Sequence, residues 1–208
     1  MQVETLTVGP LGTNCYIVAS DDGTGAVLDP GDDSGRILDR VRARGIDVRY
    51  VINTHGHADH TSANGDVVEA TGAKLVIGRE DARMLTDPVA NISAFLGERP
   101  LSPEAEVLVD DGDELGIGPV SLRFLHTPGH TAGSLVVLAD GALFSGDTLF
   151  AGSVGRTDLP GGSSRRLSES LRTKLLPLPD STIVYPGHGE PSTIGREKAV
   201  NPFLQGDV

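Results

Sequence analysis

Four potential metal ligands fall within six residues of this sequence, in the run from His55 to His60. The run reads His-Gly-His-Ala-Asp-His, so it offers imidazoles at His55, His57 and His60 and a carboxylate at Asp59. These side chains suit divalent metals such as zinc. In an extended segment His55 and His57 project to one side, and a turn that follows aims Asp59 and His60 at a neighbouring position. The dense spacing therefore predicts two adjacent metal ions rather than one.

Three further candidate ligands each follow an apolar strand and a glycine. They are His130 after the strand at 121–125, Asp147 after the strand at 142–144 and His188 after the strand at 182–185. The glycine before each of them lets the backbone turn sharply. Because loops at one edge of packed sheets can point at a common spot, we expect all these residues to meet. His126 precedes such a turn, and we expect it to pack or to support a ligand rather than to bind metal.

The candidates divide by chemistry into two sites that share one carboxylate. The sets are His55, His57 and His130, then Asp59, His60 and His188, with Asp147 as a bridge. Three imidazoles leave a coordination position open for water, the usual catalytic arrangement. Two metals about 3.5–4 Å apart can share one hydroxide, and metal binding brings the pKa of water down to about 7. We expect Asp59 and Asp147 to be the catalytic carboxylates, and the sequence shows no serine or cysteine nucleophile motif.

The elements that must position these residues are mostly short strands with helices between them. Predicted strands cover 2–8, 14–19, 26–28, 48–52, 74–77, 114–117, 121–125, 134–138, 142–144 and 182–185. Predicted helices cover 34–44 with a cap at Ser34, 62–70, 80–85 and a stretch opened by Ser163 or Ser164 that carries Leu167, Leu171 and Leu175. In residues 88–103 the apolar residues show no regular spacing, so we predict no helix or strand there. Many strands with interspersed helices predict two packed sheets with helices outside, in one domain over residues 1–208.

Composition excludes several classes of protein. The 17 basic and 29 acidic residues give a net charge of −12, which disfavours nucleic acid and anionic lipid as partners. Residues 1–10 lack the basic start and apolar run of a targeting peptide, and no apolar stretch approaches the roughly 20 residues of a membrane span. The single cysteine, Cys15, is expected to be buried filler and cannot form an intrachain disulfide. We therefore expect a cytoplasmic protein, and no pattern indicates an oligomeric state.

Four motifs together resemble the metallo-β-lactamase superfamily. They are Thr54–His60, Thr127–Thr131, Ser145–Thr148 and Pro186–Gly189, in the order that this superfamily uses. The resemblance implies an α/β fold, a four-layer αββα sandwich with metal ions at one edge of the two sheets. It covers most of the chain.

Two longer segments, 146–158 and 187–203, are similar to the short glyoxalase II-like hydrolases of this superfamily. That similarity implies hydrolysis of a small acyl-thiol substrate, such as S-lactoylglutathione, with zinc as the expected metal and iron or manganese as alternatives. Arg156 stands where those enzymes carry a basic residue that touches the thiol carrier, although an ion pair with Asp158 accounts for it equally well. Longer glyoxalase II enzymes hold glutathione with an additional helical domain, which we expect this chain to lack, so the resemblance extends to thioester hydrolysis but not to glutathione specificity.

The main alternative is a persulfide dioxygenase of the same fold. Such enzymes bind one iron through two histidines and an aspartate, which here implies His55, His130 and Asp147. The tail after His188 is more similar to the hydrolases. Lactonase or β-lactamase activity is compatible with the same scaffold, because a fold does not fix its substrate. A nuclease is disfavoured by the acidic charge.

Overall fold

Two mixed β-sheets form the frame of the chain. A computed structural model describes residues 1–96 and 100–205. Within that part, the first sheet runs in chain order through β1 (Gln2–Val8), β2 (Thr13–Ala19), β3 (Thr24–Leu28), β4 (Asp47–Asn53), β5 (Lys74–Gly78) and β6 (Val107–Val109). The first three strands are antiparallel neighbours, whereas β3 to β6 pair in parallel. The carboxyl ends of β3 and β4 therefore lie at the same edge.

The second sheet is built from the rest of the chain. Its strands are β7 (Glu114–Ile117), β8 (Val120–His126), β9 (Leu135–Ala139), β10 (Ala142–Gly146), β13 (Ile183–Pro186) and β14 (Ser192–Thr193). The strand pair β10 and β13 is parallel, and the other neighbours are antiparallel. A small separate hairpin consists of β11 (Leu149–Phe150) and β12 (Ser153–Val154). Because β10 and β13 run together, Asp147 and His188 emerge side by side.

Helices lie outside the two sheets and at their edges. They are α1 (Ser34–Arg44), α2 (Ala58–Thr61), α3 (Asn64–Thr71), α4 (Ser93–Leu96), α5 (Ser164–Ser170), α6 (Ile194–Val200) and α7 (Pro202–Gln205), with a 3-10 segment at Arg79–Leu85 and a π-helical turn at Leu171–Leu175. No helix in the described ranges combines the length and apolar character that crossing a bilayer requires.

Three apolar clusters separate four layers. Ile37 and Val67 of α1 and α3 pack on the first sheet, and Leu167 and Leu171 pack on the second sheet. Between the sheets lies a cluster that includes Phe124. Burial of this apolar surface is the main stabilising term of such a fold. The predicted αββα sandwich is confirmed.

Aromatic rings at the middle of the molecule connect the core to the sheet edge. Tyr16 and Tyr185 each contact Phe144, with ring centroids 5.2 and 5.3 Å away, respectively. The buried Tyr16 hydroxyl donates a 2.6 Å hydrogen bond to the carbonyl of Pro186, directly before the Gly187–His188 turn. Core packing is thereby linked to the loop that carries His188.

Several local predictions were wrong. The helix predicted at 62–70 is present as α3 (Asn64–Thr71), but the short helix α2 (Ala58–Thr61) before it was not predicted, and the two are separate because the amide of Ala63 donates to the carbonyl of Pro30. The helix predicted at 80–85 is a 3-10 segment. Ser34 does not cap α1: Asp33 precedes the helix in a left-handed conformation, and the Ser34 hydroxyl bonds Asp66 instead. Strand β6 and helix α6 were not predicted. In contrast, Ser163 caps α5 as expected, accepting from the amide of Arg166.

Candidate metal centre

The seven candidate ligands meet at one edge of the two sheets. His55 follows β4, His130 follows β8, Asp147 follows β10 and His188 follows β13. The structure groups them as His55, His57 and His130; as His55, His60 and Asp147; and as Asp59, His60 and His188, with the potential ligand atoms of each group within 4.8 Å of one another. The first and third groups are the two sets expected from the sequence.

The first set is a compact cage of three imidazoles. The ring centroids of His55, His57 and His130 lie 4.7–4.8 Å apart, and the rings are nearly perpendicular to one another. His57 Nδ1 is 2.9 Å from His130 Nε2. His130 Nδ1 donates a 2.8 Å hydrogen bond to the Arg156 carbonyl, so the Nε2 of a neutral ring presents its lone pair to the other two. This is the state in which imidazole binds a metal.

The second set surrounds the carboxylates. His188 Nε2 lies 3.3 Å from Asp59 Oδ2, and His60 Nε2 lies 3.5 Å from the same oxygen. Thr13 Oγ1 donates to Asp59 Oδ2 over 3.1 Å and fixes its orientation.

Asp147 lies between the sets. Its Oδ1 is 3.4 Å from His60 Nε2, while its Oδ2 is 3.6 Å from His130 and 3.7 Å from His188. Because the carboxylate lies near histidines of both sets, it is placed where the sequence analysis expects a bridge between two cations.

Buried polar atoms without partners show that the donor set fits divalent metal ions. His55 Nε2, His60 Nε2 and Asp147 Oδ1 are buried, yet none makes a hydrogen bond within the described residues. Such unsatisfied groups each cost about 1–3 kcal/mol unless something binds them. Imidazole nitrogens and carboxylate oxygens are suitable zinc ligands, and iron or manganese also accepts this mixture.

The protonation states agree with that fit. Burial lowers the pKa of His55, and burial together with the adjacent His130 lowers the pKa of His57 to about 3, so both rings are neutral near pH 7. Burial alone would raise the pKa of Asp59 and of Asp147, but His60 and the other histidines around them lower both. His55, His57 and the two carboxylates are thus in the forms that bind cations. For His60, burial opposes protonation, but Asp59 and Asp147 raise the pKa of the imidazole, so a metal that binds there displaces a proton.

Close backbone packing holds this edge together. A Cβ atom on Gly187 would lie 2.2 Å from Asp147 Oδ1 and 2.9 Å from His60 Cε1. Only glycine therefore allows the His188 loop to pass this close to the carboxylate of Asp147.

Two supporting carboxylates were missed by the sequence reasoning. Asp29 accepts from the amide and hydroxyl of Thr54, and its Oδ2 lies 3.1 Å from His60 Nδ1. It follows the apolar strand β3, which is the same signal that identified the ligands. Asp81 contacts both histidine loops, but it lies in the 3-10 segment, where the sequence offered no comparable signal.

Two other predicted residues lie outside the cluster. His126 ends β8, and its Nε2 donates to the Ala132 carbonyl over 2.8 Å, in agreement with a packing role. Arg156 makes a two-pronged ion pair with Asp158, with distances of 2.7 and 2.8 Å, and both side chains are more than half exposed. The ion-pair alternative for Arg156 is therefore formed in the structure.

Apolar side chains near the irregular segment 88–103 differ in burial. Met84 and Leu85 are buried in the core, whereas Phe95 is 76% exposed and is not part of it. The side chain of Leu96 and residues 97–99 lie outside the described part of the chain. Cys15 is fully buried, and burial raises the pKa of its thiol, consistent with a filler role.

The chain is similar to known proteins over nearly its whole length. Hydroxyacylglutathione hydrolase GloC of Haemophilus influenzae is 35% identical over 98% of each chain. Among solved structures, the BLEG-1 B3 metallo-beta-lactamase superposes with a TM-score of 0.94 at 36% identity, covering 99% of this chain and all of that one. TTHA1623, solved in a di-iron-bound form, superposes with a TM-score of 0.88 at 36% identity, covering 97% of this chain and 100% of that one. ETHE1 from Myxococcus xanthus superposes with a TM-score of 0.83 at 31% identity, covering 97% of this chain and 84% of that one.

A family model matches residues 8–188, a range that contains every candidate ligand. Together with the sandwich architecture and the histidine–aspartate cluster, this match settles the family. The chain belongs to the metallo-beta-lactamase superfamily.

Proposed function

We propose that this protein is a metal-dependent hydrolase that cleaves acyl thioesters, with S-lactoylglutathione as a representative substrate. The observation that carries the proposal is the convergence of two donor sets on Asp147, whose carboxylate lies near histidines of both. The similarity to hydroxyacylglutathione hydrolase GloC supports the substrate class. We further propose that two divalent ions fill the centre, zinc being the best match to its imidazoles and carboxylates.

When bound, the metal ions supply a hydroxide nucleophile at neutral pH and polarise the carbonyl of the thioester. The protein holds the ligand side chains in fixed positions and surrounds them with buried groups that exclude water. Hydrogen bonds from Thr13 to Asp59, from His130 to Arg156 and from Thr54 to Asp29 hold the donors before substrate arrives. Asp59 and Asp147, ionised in this surrounding, offer acceptor oxygens between the two sets. Donors fixed in advance need little reorganisation during the reaction.

The thioester is favoured by the chemistry of its leaving group. A thiol has a pKa near 8.5, so it can depart as a thiolate with little protonation. An amine leaving group would need a dedicated proton donor, which the four motifs do not supply. We also propose that Arg156 contacts an anionic group of the substrate by a charge-assisted bond, in competition with its partner Asp158.

Hydrolysis of a panel of substrates tests the proposal directly. Protein loaded with zinc should cleave S-lactoylglutathione or another acyl thioester faster than the matching oxygen ester, amide or β-lactam. Asp147→Asn should reduce the rate of thioester hydrolysis to that of metal-stripped protein, because the side chain between the two sets of ligands loses its negative charge. Asp39→Asn is a matched control on α1, with a side chain that is 79% exposed, and should keep full activity. A zinc-loaded protein that leaves every thioester intact would contradict the proposal.

The iron oxygenase alternative makes a different prediction about metal content. It needs one iron held by His55, His130 and Asp147. The convergence of Asp59, His60 and His188 favours a second ion instead. Elemental analysis of protein purified without added metal separates the two, since one iron per chain together with oxygen uptake on a persulfide would support the oxygenase.

A further inference from the structure

Asp81 is a buried carboxylate that the proposed hydrolysis does not use. It lies in the 3-10 segment Arg79–Leu85 after β5 and is only 1% exposed. Its Oδ1 accepts a 2.7 Å hydrogen bond from the amide of Gly133. Its Oδ2 accepts from the amide of Gly56 over 3.1 Å and from the hydroxyl of Thr131 over 2.6 Å.

These three partners belong to the two loops that supply the three-imidazole set. Gly56 stands between His55 and His57, while Thr131 directly follows His130. The side chain of Asp81 thus connects two loops that are more than 70 residues apart in sequence. These are the same two loops that meet in the contact between His57 and His130. No hydrogen bond described for Asp81 reaches the second set, which relies on Thr13 and Asp29.

Close packing shows that the 3-10 segment is wedged between the two loops. A Cβ atom on Gly133 would lie 2.4 Å from the amide nitrogen of Asp81, and one on Gly56 would lie 2.4 Å from Cβ of Met84. Neither loop can move toward the segment, and the hydrogen bonds to Asp81 keep both loops from moving away.

The arrangement requires a carboxylate. Each oxygen of Asp81 faces at least one backbone N–H, which can only donate. In an asparagine, whichever way the amide is turned, its NH₂ group faces one of these N–H donors. Asp81→Asn therefore keeps the size of the side chain but turns one attraction into a repulsion.

We propose that Asp81 is a positioning residue that sets the spacing of the two histidine loops and thereby the metal affinity of the His55, His57 and His130 set. The inference rests on the proposed metal centre of the hydrolase. It adds a selective role, because the set formed by Asp59, His60 and His188 is held by other contacts. Groups that orient metal ligands in this way typically affect metal affinity by about 10–100-fold.

Zinc binding to metal-stripped protein tests this role without any substrate. Competition with a chromophoric chelator should resolve two binding steps in the unaltered protein. The variants His57→Ala and His188→Ala assign these steps, because each removes a ligand from only one set. Glu80→Gln is the matched control, an exposed carboxylate one residue earlier on the same segment. Cobalt absorption spectra provide a second readout of the geometry around the three imidazoles.

We expect Asp81→Asn to weaken the step assigned to the three imidazoles by about 10–100-fold and to alter its cobalt spectrum. The other step should change less than about threefold, and Glu80→Gln should leave both as they are. The intact second step also reports that the variant is folded. If Asp81→Asn fails to fold, Thr131→Val removes just one of the three donors and should weaken the same step in the same direction.

Equal weakening of both steps, or none, would overturn the inference. So would an unaltered protein that takes up no zinc, which would remove the metal centre as well. An unaltered protein with two zinc steps but no thioesterase activity would contradict the proposed substrate alone, and the selective effect of Asp81→Asn would still support its positioning role.

Discussion

Individual ligands could be found from the sequence because each follows the same rule. An apolar strand, a glycine and then a histidine or aspartate recur at His130, Asp147 and His188. The rule gives the type of residue and its position after a strand. It does not show which group pairs with the second ring nitrogen of each histidine, the one that does not face the other ligands. The pairing of His60 with Asp29 and of His130 with the Arg156 carbonyl depends on contacts across the fold. These partners fix the orientation of the imidazole rings, and the sequence did not predict them.

The close approach at Gly187 leads to a prediction at this scale. Gly187→Ala should displace Asp147 or His60, because the new Cβ would lie 2.2 Å from Asp147 Oδ1. Misplacement of a reacting group by about 1 Å can cost on the order of 10²-fold in rate. We therefore expect the proposed thioesterase activity to fall by about that factor and the metal content to fall below the two ions per chain proposed for the unaltered protein.

Gly35→Ala is the matched control for this substitution. Gly35 lies in α1, and a Cβ atom there meets nothing within 4 Å. Its activity and metal content should equal those of the unaltered protein. A Gly187→Ala variant with unchanged activity would show that the bridging carboxylate tolerates displacement, contrary to the geometry described above.

At the scale of elements, long apolar strands were predicted well and short pieces were not. Strands such as β2 and β4 are recognisable in the sequence because they contain three or more consecutive buried residues, whereas β6 has three residues in all and β14 has two. The pairing of such short strands is set by neighbours rather than by their own sequence. The same holds for the hairpin β11–β12, which leads into the loop of Arg156 and is fixed by the carboxyl-terminal helix.

Glu197 of α6 makes that connection. The buried carboxylate accepts hydrogen bonds from the amide of Gly152 over 2.7 Å, from Asn201 Nδ2 over 2.8 Å and from the hydroxyl of Ser192. Asn201 in turn donates to the carbonyl of Ser153 over 3.0 Å. Helix α6 thus fixes the hairpin that leads into the Arg156 loop.

Glu197→Gln should lower the free energy of unfolding by about 1–3 kcal/mol, because the buried hydrogen bonds from Gly152, Asn201 and Ser192 lose the charge that strengthens them. Urea unfolding followed by circular dichroism measures this change. Glu69→Gln, an exposed position on α3, should stay within about 0.5 kcal/mol of the unaltered protein. A loss at Glu197 no larger than at Glu69 would mean that the buried network contributes nothing measurable.

At the scale of the whole molecule, the layered architecture was predicted from the alternation of strands and helices together with the family resemblance. Sequence alone could not show that the core divides into three clusters, since that depends on which face of each strand is turned inward. The division matters for the site. The candidate ligands come from both sheets. The site therefore connects the two sheets at the edge where the apolar cluster between them ends.

Metal removal should therefore destabilise the entire fold rather than one loop. A ligand present at 100 times its Kd stabilises the folded state by about 2.7 kcal/mol. For a chain of this size each kcal/mol corresponds to about 2–4 °C in Tm, so the metal-loaded protein should melt about 5–11 °C above the chelator-treated one. Scanning calorimetry before chelation, after chelation and after return of zinc measures the difference. A variant with both His57→Ala and His188→Ala should show little response to the chelator, because each set has lost a ligand. If the unaltered protein melted at the same temperature with and without metal, the two sheets would not be joined through the centre, and the bridging position of Asp147 would have to be abandoned.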